Sequence, residues 1–315
     1  DFIAGNSKKC YEYSCFIPSL VNHEWTWETQ SLTVALEKAV RALASLDACS
    51  QFVPDIDLFI RMHIINEASA SSRIEGTQTE MEEVLLPEMS IEEERRNDWR
   101  EVNNYVNAMN SSIEALKKLP LSIRLLCDAH RQLLVGVRGK YKCPGEIRTT
   151  QNWIGGHSIA TAKYIPPAAE FVRDLLSDLE MFWHNEDIKV SKLIRCAISH
   201  YQFESIHPFL DGNGRIGRLL IPFYLICEQE LTCPSLYISS YFERNRDLYY
   251  ESLSRVRTDN DLIGWVLFFL DAIKETAQTG CNKFKQIFSL RDEMNMYSHK
   301  CPNTALTQKL FKNLY

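Results

Sequence analysis

Apolar residues recur at steps of three and four along most of the chain. Leu32, Leu36, Ala39, Leu43 and Leu46 form one such set. Trp99, Val102, Val106, Met109, Ile113 and Leu116 form a second, and Val190, Leu193, Ile194, Ala197, Ile198 and Tyr201 a third. Each set lines one side of a 3.6-residue helix and predicts a helix laid against a core. From residue 213 to about 229 the polar face nearly vanishes: Ile216, Leu219, Leu220, Phe223, Leu225 and Ile226 crowd together. That predicts a helix through the centre of the domain. Pro222 inside it removes the amide that would bond the Arg218 carbonyl, so a kink or a shorter first helix is expected there. The one clear β signal lies in residues 146–165. Two runs, 147–154 and 158–165, flank Gly155 and Gly156, and Thr149, Thr150, Trp153 and Ile159 favour extended backbone, so a tight hairpin is predicted. The fold class is therefore all-α with one small β-hairpin.

Pro120 and the Lys142-Cys143-Pro144-Gly145 turn punctuate the middle of the chain. Residues 80–94 carry Glu80, Glu82, Glu83, Glu88, Glu92, Glu93 and Glu94, and read as a solvated connector. After Ser289 the pattern changes, with a short helical stretch at 306–314. The division expected is an N-terminal helical region at 1–95, a core at 96–285 and a tail at 286–315. The tail reads as a docking segment or the start of a further, truncated domain.

The 315 residues suffice for a sizeable core. A formal charge of -6 argues against broad, charge-driven nucleic-acid binding while leaving room for a local basic pocket. The longest apolar run, at 219–227, is broken by Pro222 and too short to span a membrane. The start Asp1-Phe2-Ile3 has no signal-peptide character, although trimming would hide one. Ten cysteines are scattered from Cys10 to Cys301 without a C-x-x-C pair, and Cys127, Cys196 and Cys227 fall inside apolar helical patterns. Reduced, packed thiols and a cytoplasmic location are expected.

The densest chemistry is His207-Pro208-Phe209-Leu210-Asp211-Gly212-Asn213-Gly214-Arg215-Ile216-Gly217-Arg218. Pro208 pushes His207 out of the helical region, so a helix ends near Ile206 and His207 stands at the lip of a loop as a candidate base. Asp211 offers one carboxylate to Mg²⁺, which takes one or two carboxylates together with phosphate oxygens; the alternative is a helix cap. Gly212, Asn213 and Gly214 suit an anion nest that opens into a helix N-terminus. Arg215 and Arg218, three apart, share a helix face and match phosphate oxygens in pairs. A Walker loop, an EF-hand and a dinucleotide fingerprint all fail on spacing or on the preceding helix.

These twelve residues resemble the H-P-F-x-[D/E]-G-N-G-R-x-x-R signature of Fic-domain proteins at every specified position. Ser71-Ser72-Arg73-Ile74-Glu75-Gly76 is similar to the family's inhibitory [S/T]-x-x-x-E-[G/N] motif, placed N-terminal to the core, and residues 146–165 resemble its flap. The resemblance implies a Fic-fold helical bundle and transfer of AMP from ATP to a Ser, Thr or Tyr hydroxyl of a target protein. His207 would deprotonate the hydroxyl and Asp211 would hold Mg²⁺. Gly212, Asn213, Gly214, Arg215, Ile216, Gly217 and Arg218 would bind the nucleotide, and Phe209 would anchor the loop. Ser71, Glu75 and Gly76 would inhibit, with Glu75 pairing Arg218. Thr150, Gln151, Asn152, Trp153 and Ile154 would dock the target. Tyr249 and Tyr250 are candidates for the adenine wall or, alternatively, core aromatics. Removal of AMP from a modified protein stays open, as does a regulatory binding protein with weak chemistry. Lys309 and Lys312 are too few to argue DNA binding by the tail. Many relatives pair with a second copy, so a homodimer is expected.

Overall fold

The structure is a computed structural model that describes residues 2–10, 12–27, 29–52 and 56–300. It opens with an antiparallel hairpin, β1 (Gly5–Cys10) and β2 (Tyr13–Pro18), in which Gly5 faces Pro18 and Cys10 faces Tyr13. Helices follow: α1 (Gln30–Ser50), α2 (Ile56–Ile74), the single turn α3 (Met81–Val84), α4 (Arg96–Leu116), α5 (Ile123–Leu133), α6 (Ala169–His184), α7 (Lys192–Ile206), α8 (Asn213–Cys227), α9 (Ser239–Arg244), α10 (Arg246–Asp259) and α11 (Leu262–Lys300).

The predicted stripes do the expected work. Leu32, Ala39, Leu43 and Leu46 bury one side of α1 against α11, and Val102 and Met109 bury one side of α4 against α5 and α2. Helices α7 and α8 are buried nearly all round and form the central pair. Helix starts and stops follow local chemistry. After Pro120, the Ser122 hydroxyl accepts the Leu125 amide and caps α5. At the end of α2, Gly76 takes φ 99° and the Thr77 amide reaches back to the Ser72 carbonyl, the bond that closes a left-handed helix cap.

Four expectations change. α8 runs unbroken through Pro222 rather than stopping short. Packing on every side of this helix outweighs the one lost backbone bond. The two runs in 146–165 do not form a ladder. Ile154 and Tyr164 make one bridge around Gly155 and Gly156, and residues 159–161 coil into a 3-10 turn. The amide and side chain of Arg148 and the side chain of Asn152 are spent on the neighbouring loop instead. The two-stranded sheet is the N-terminal hairpin, whose β1 is too polar and exposed to show alternation. The acidic stretch is not a bare connector: Glu83 pairs with Arg95 at 2.5 Å, and Glu88 accepts Arg100 Nε at 2.7 Å. Finally, α11 continues past residue 286 to Lys300, while the stretch at 306–314 lies outside the described residues.

Every described cysteine is a free thiol, and no described helix is long and apolar enough to cross a membrane. The core is one cluster that takes residues from α1 through α11. Leu46 is fully buried between α1 and α11. Leu46→Ala should lower unfolding stability by about 2–5 kcal/mol, read as a shift of the denaturant midpoint at constant slope. A shift under about 1 kcal/mol would mean that the α1–α11 crossing is loosely packed.

Candidate active site

α7 stops where the proline rule says it must, and His207 ends it at φ 50°, in the left-handed region that bulky residues rarely occupy. Side chains hold it there. Arg148 is buried and donates only to carbonyls: Nε to His207 at 2.9 Å, Nη1 to Thr150 at 3.2 Å, and Nη2 to Pro167 at 2.6 Å and Ile206 at 3.3 Å. Asn152 Nδ2 adds bonds to the His207 and Phe209 carbonyls at 3.1 and 2.8 Å. Burial pulls the Arg148 pKa down to about 10, which leaves it charged at neutral pH. Burial first, and then the Arg148 and Arg257 charges, push the His207 imidazole down to about 4 against the opposing pulls of a hydrogen bond to the Glu204 backbone and of the Glu75 charge. His207 is therefore neutral at pH 7 and free to accept a proton.

The turn after His207 is braced from within. Asn213 Oδ1 accepts the Phe209 amide and its Nδ2 donates to the Phe209 carbonyl, both at 2.8 Å. Gly212, at φ 75°, begins α8, and its amide donates to Asp211 Oδ1 at 2.7 Å. The Asp211 side chain remains 43% exposed, facing out from the loop.

Both arginines of the motif are buried and paired. Arg215 Nη1 meets Glu101 Oε2 at 3.0 Å, and the other oxygen of Glu101 takes Arg138 Nε at 3.0 Å. Arg218, 1% exposed at its side chain, turns toward α2. Its Nε donates to Ser71 Oγ at 2.8 Å, and its Nη2 donates to the Ser71 carbonyl at 3.0 Å and Glu75 Oε1 at 2.6 Å. A Cβ on Gly214 would collide with that same Glu75 oxygen, so the carboxylate lies directly over the first turn of α8. Burial alone would raise the Glu75 carboxyl, but Arg218, Arg215 and His207 together hold it below its ordinary value.

The motif residues His207, Asp211, Gly212, Gly214, Arg215 and Arg218 thus meet Ser71 and Glu75 at one place, with Gly76 as the cap that ends α2 beside them. Several expected nucleotide contacts do not. Ile216 is fully buried in the core. Gly217 lies against Glu204 of α7, and its carbonyl meets His200 Nδ1 at 2.8 Å. Asn213 braces the turn instead of facing a phosphate. Tyr249 is a core aromatic, stacked on Phe242 and bonded through its hydroxyl to His200 Nε2 at 2.8 Å, so it cannot wall a base. Tyr250 is 40% exposed and keeps that option. Of the five flap residues, Thr150, Trp153 and Ile154 face outward. Asn152 is turned inward, and Gln151 bonds the Asn152 and Pro166 carbonyls and the Tyr13 hydroxyl. Sequence reasoning missed Arg148, Glu101 and Arg138. A charged residue on the buried face of α4 was the available signal for Glu101.

Comparison with known proteins agrees with this geometry. Residues 33–114 match the Fic/DOC family N-terminal domain and residues 120–225 match the Fic/DOC family domain. Protein adenylyltransferase fic-1 of Caenorhabditis briggsae is 32% identical over 140 residues, 44% of this chain and 25% of that protein. Protein adenylyltransferase Fic of Drosophila erecta is 27% identical over 210 residues, 64% of this chain and 39% of that protein. The chain thus spans well under half the length of these relatives. A Fic family protein from Desulfovibrio desulfuricans G20 superposes with a TM-score of 0.67 at 22% identity, covering 83% of this chain and 77% of that one. Fic-1 from C. elegans gives 0.62 at 19%, covering 82% and 74%. At such identities the structures establish the shared fold.

A pH dependence follows from the depressed Glu75 carboxyl. Its ion pair contributes fully above the ordinary value of 4.5 and is lost as pH falls through the lower folded value. The stability gap between wild type and Glu75→Gln should be widest near neutral pH and close in stronger acid, as measured by denaturation across pH. A gap that stays constant in acid would show that the Glu75 carboxyl titrates alike folded and unfolded, so that Arg218 does not hold it down.

Proposed function

The chain belongs to the Fic/DOC family, and on that premise we propose that it is a protein adenylyltransferase: it moves AMP from ATP to a Ser, Thr or Tyr hydroxyl of a target protein and is held inactive by Glu75. His207 takes the proton of the attacking hydroxyl. The hydroxyl oxygen forms a bond to the α-phosphorus, the bond from that phosphorus to the bridging oxygen breaks, and pyrophosphate leaves. A neutral imidazole beside a glycine-flanked helix N-terminus and two guanidinium groups supplies the base, the positioning and the charge neutralisation that this transfer requires. Arg215 stays fixed by Glu101 and faces the leaving group, while Arg218 receives the γ-phosphate once Glu75 withdraws.

Asp211 fits Mg²⁺. It is a half-exposed carboxylate at the tip of the loop. That placement suits an ion that shares its ligands with the nucleotide phosphates and supplies charge neutralisation there. Trp153 and Ile154 give the target's backbone an apolar edge to lie along.

The observation that carries the inhibited state is the Glu75–Arg218 pair over Gly214. A carboxylate already occupies the anion position that a phosphate needs. Its proximity to His207 also supports the reverse reaction, removal of AMP from a modified protein, with Glu75 orienting a water. The two readings separate experimentally. Glu75→Gly should raise AMP incorporation from ATP by roughly 5–150-fold, the range of an ordinary coupling between sites. His207→Ala in that background should lower it by about 10²–10⁴-fold. Mass spectrometry for the gain of one AMP, on the chain itself or on a target, gives the readout. Equal incorporation by wild type and Glu75→Gly across ATP concentrations would overturn the inhibitory role. AMP release from modified target by wild type, lost in Glu75→Gly, would support the reverse reaction instead.

A further inference from the structure

The site contains a second imidazole that the proposed reaction does not use. His130 of α5 is fully buried, and its ring lies parallel to Phe209, with centroids 3.9 Å apart and planes 7° apart. The two ring nitrogens serve different segments. Nδ1 meets the Gly145 amide nitrogen at 2.8 Å, and Nε2 meets the Asp211 carbonyl oxygen at 2.9 Å. An amide can only donate and a carbonyl can only accept. Both bonds therefore exist together in one state alone: a neutral ring, with its hydrogen on Nε2.

The placement matters because the loop is held from two sides. The carbonyls of Ile206, His207 and Phe209 are held by Arg148 and Asn152, which belong to the flap segment. The carbonyl of Asp211 is held from the opposite side, by α5. The Lys142-Cys143-Pro144-Gly145 turn, whose purpose was not evident from sequence, presents the amide that fixes the His130 tautomer.

We propose that His130 is a positioning residue for the nucleotide loop: its ring seats Phe209 and its Nε2–H holds the Asp211 carbonyl, so that the Asp211 carboxylate and the Gly212 end of α8 face the phosphates. This rests on the phosphate-site reading above. It assigns His130 no contact with substrate and no proton transfer.

Two measurements test it. In wild-type protein labelled with ¹⁵N-histidine, the long-range nitrogen spectrum should contain a buried, neutral ring protonated at Nε2 and assigned by its loss in His130→Gln. A hydrogen on Nδ1 would overturn the proposal. In the Glu75→Gly background, His130→Phe keeps the stacking ring but loses both bonds. ATP affinity, measured by calorimetry in EDTA, should fall roughly ten-fold as two buried partners are left unpaired, with KM for ATP rising more than kcat falls. His130→Gln, which can still donate to the Asp211 carbonyl, should recover part of the affinity. Unchanged affinity in His130→Phe, or no recovery in His130→Gln, would reduce the residue to packing and overturn the proposal. If the Glu75→Gly parent binds ATP without transferring AMP, the functional reading fails while the affinity comparison still decides the role of His130. If the parent binds no ATP, the nitrogen spectrum decides it alone.

Discussion

A guanidinium that stays charged is buried at the start of the central helix, and the surrounding architecture answers to it. Arg218 cannot shed its proton inside a protein, so its burial demands a counter-charge and acceptors for its N–H groups. Helix α2 supplies them from one face: the Ser71 hydroxyl and carbonyl and, one turn later, the Glu75 carboxylate. The same face carries Glu67 one turn earlier, which accepts the Ser239 amide at 3.0 Å and the Ser239 hydroxyl. Burial raises the Glu67 carboxyl to about 7 despite these bonds. Arg73 pins the helix to Glu243 at 2.5 Å. α2 is thus fixed as a rigid strut, and its last turn brings a negative charge to the N-terminus of α8. A helix N-terminus and a buried arginine attract any anion. Whatever anion binds there competes directly with Glu75.

The turn after His207 is held by a different set of bonds. The Ile206, His207, Phe209 and Asp211 carbonyls meet side chains, and the Pro208 carbonyl takes the Arg148 amide. Arg148 and Asn152 hold the Ile206, His207 and Phe209 carbonyls, and these two residues lie in the segment whose tip exposes Trp153 and Ile154. The exposed Trp153 and Ile154 and the side chains that hold the backbone around His207 therefore belong to one piece of chain. The N-terminal hairpin supports that segment from behind: the Phe16 amide donates to the Ile165 carbonyl at 3.0 Å, and the Tyr13 hydroxyl to Gln151 at 3.3 Å.

Local rules made much of this legible. Periodicity located α1, α4 and α7, and proline located the end of α7. The twelve-residue motif located the loop, because a base, a carboxylate, glycines and arginines at fixed spacing sit on one helix–turn–helix junction wherever the junction lies. The hairpin β1–β2 was not legible, since its first strand buries almost nothing and so carries no alternation. The predicted ladder at 146–165 failed because extended-favouring residues say nothing about the partner: Arg148 and Asn152 found carbonyls on another segment. Tyr249 and Ile216 each carried two readings, nucleotide contact and core, and burial decided for the core.

What the sequence determined by itself is the local grammar: which stretches coil, where they stop, and which chemical groups stand within one turn of one another. Only the tertiary structure decided the pairings of Arg215 with Glu101 across 114 residues and of Asp211 with His130 across 81, and it gave the Arg218–Glu75 pair, which the motif resemblance implied, its geometry. The physical reason is that a helix's period records which of its faces is buried but not against what. The desolvation that makes each buried charge or carbonyl seek a partner acts only after the helices have packed.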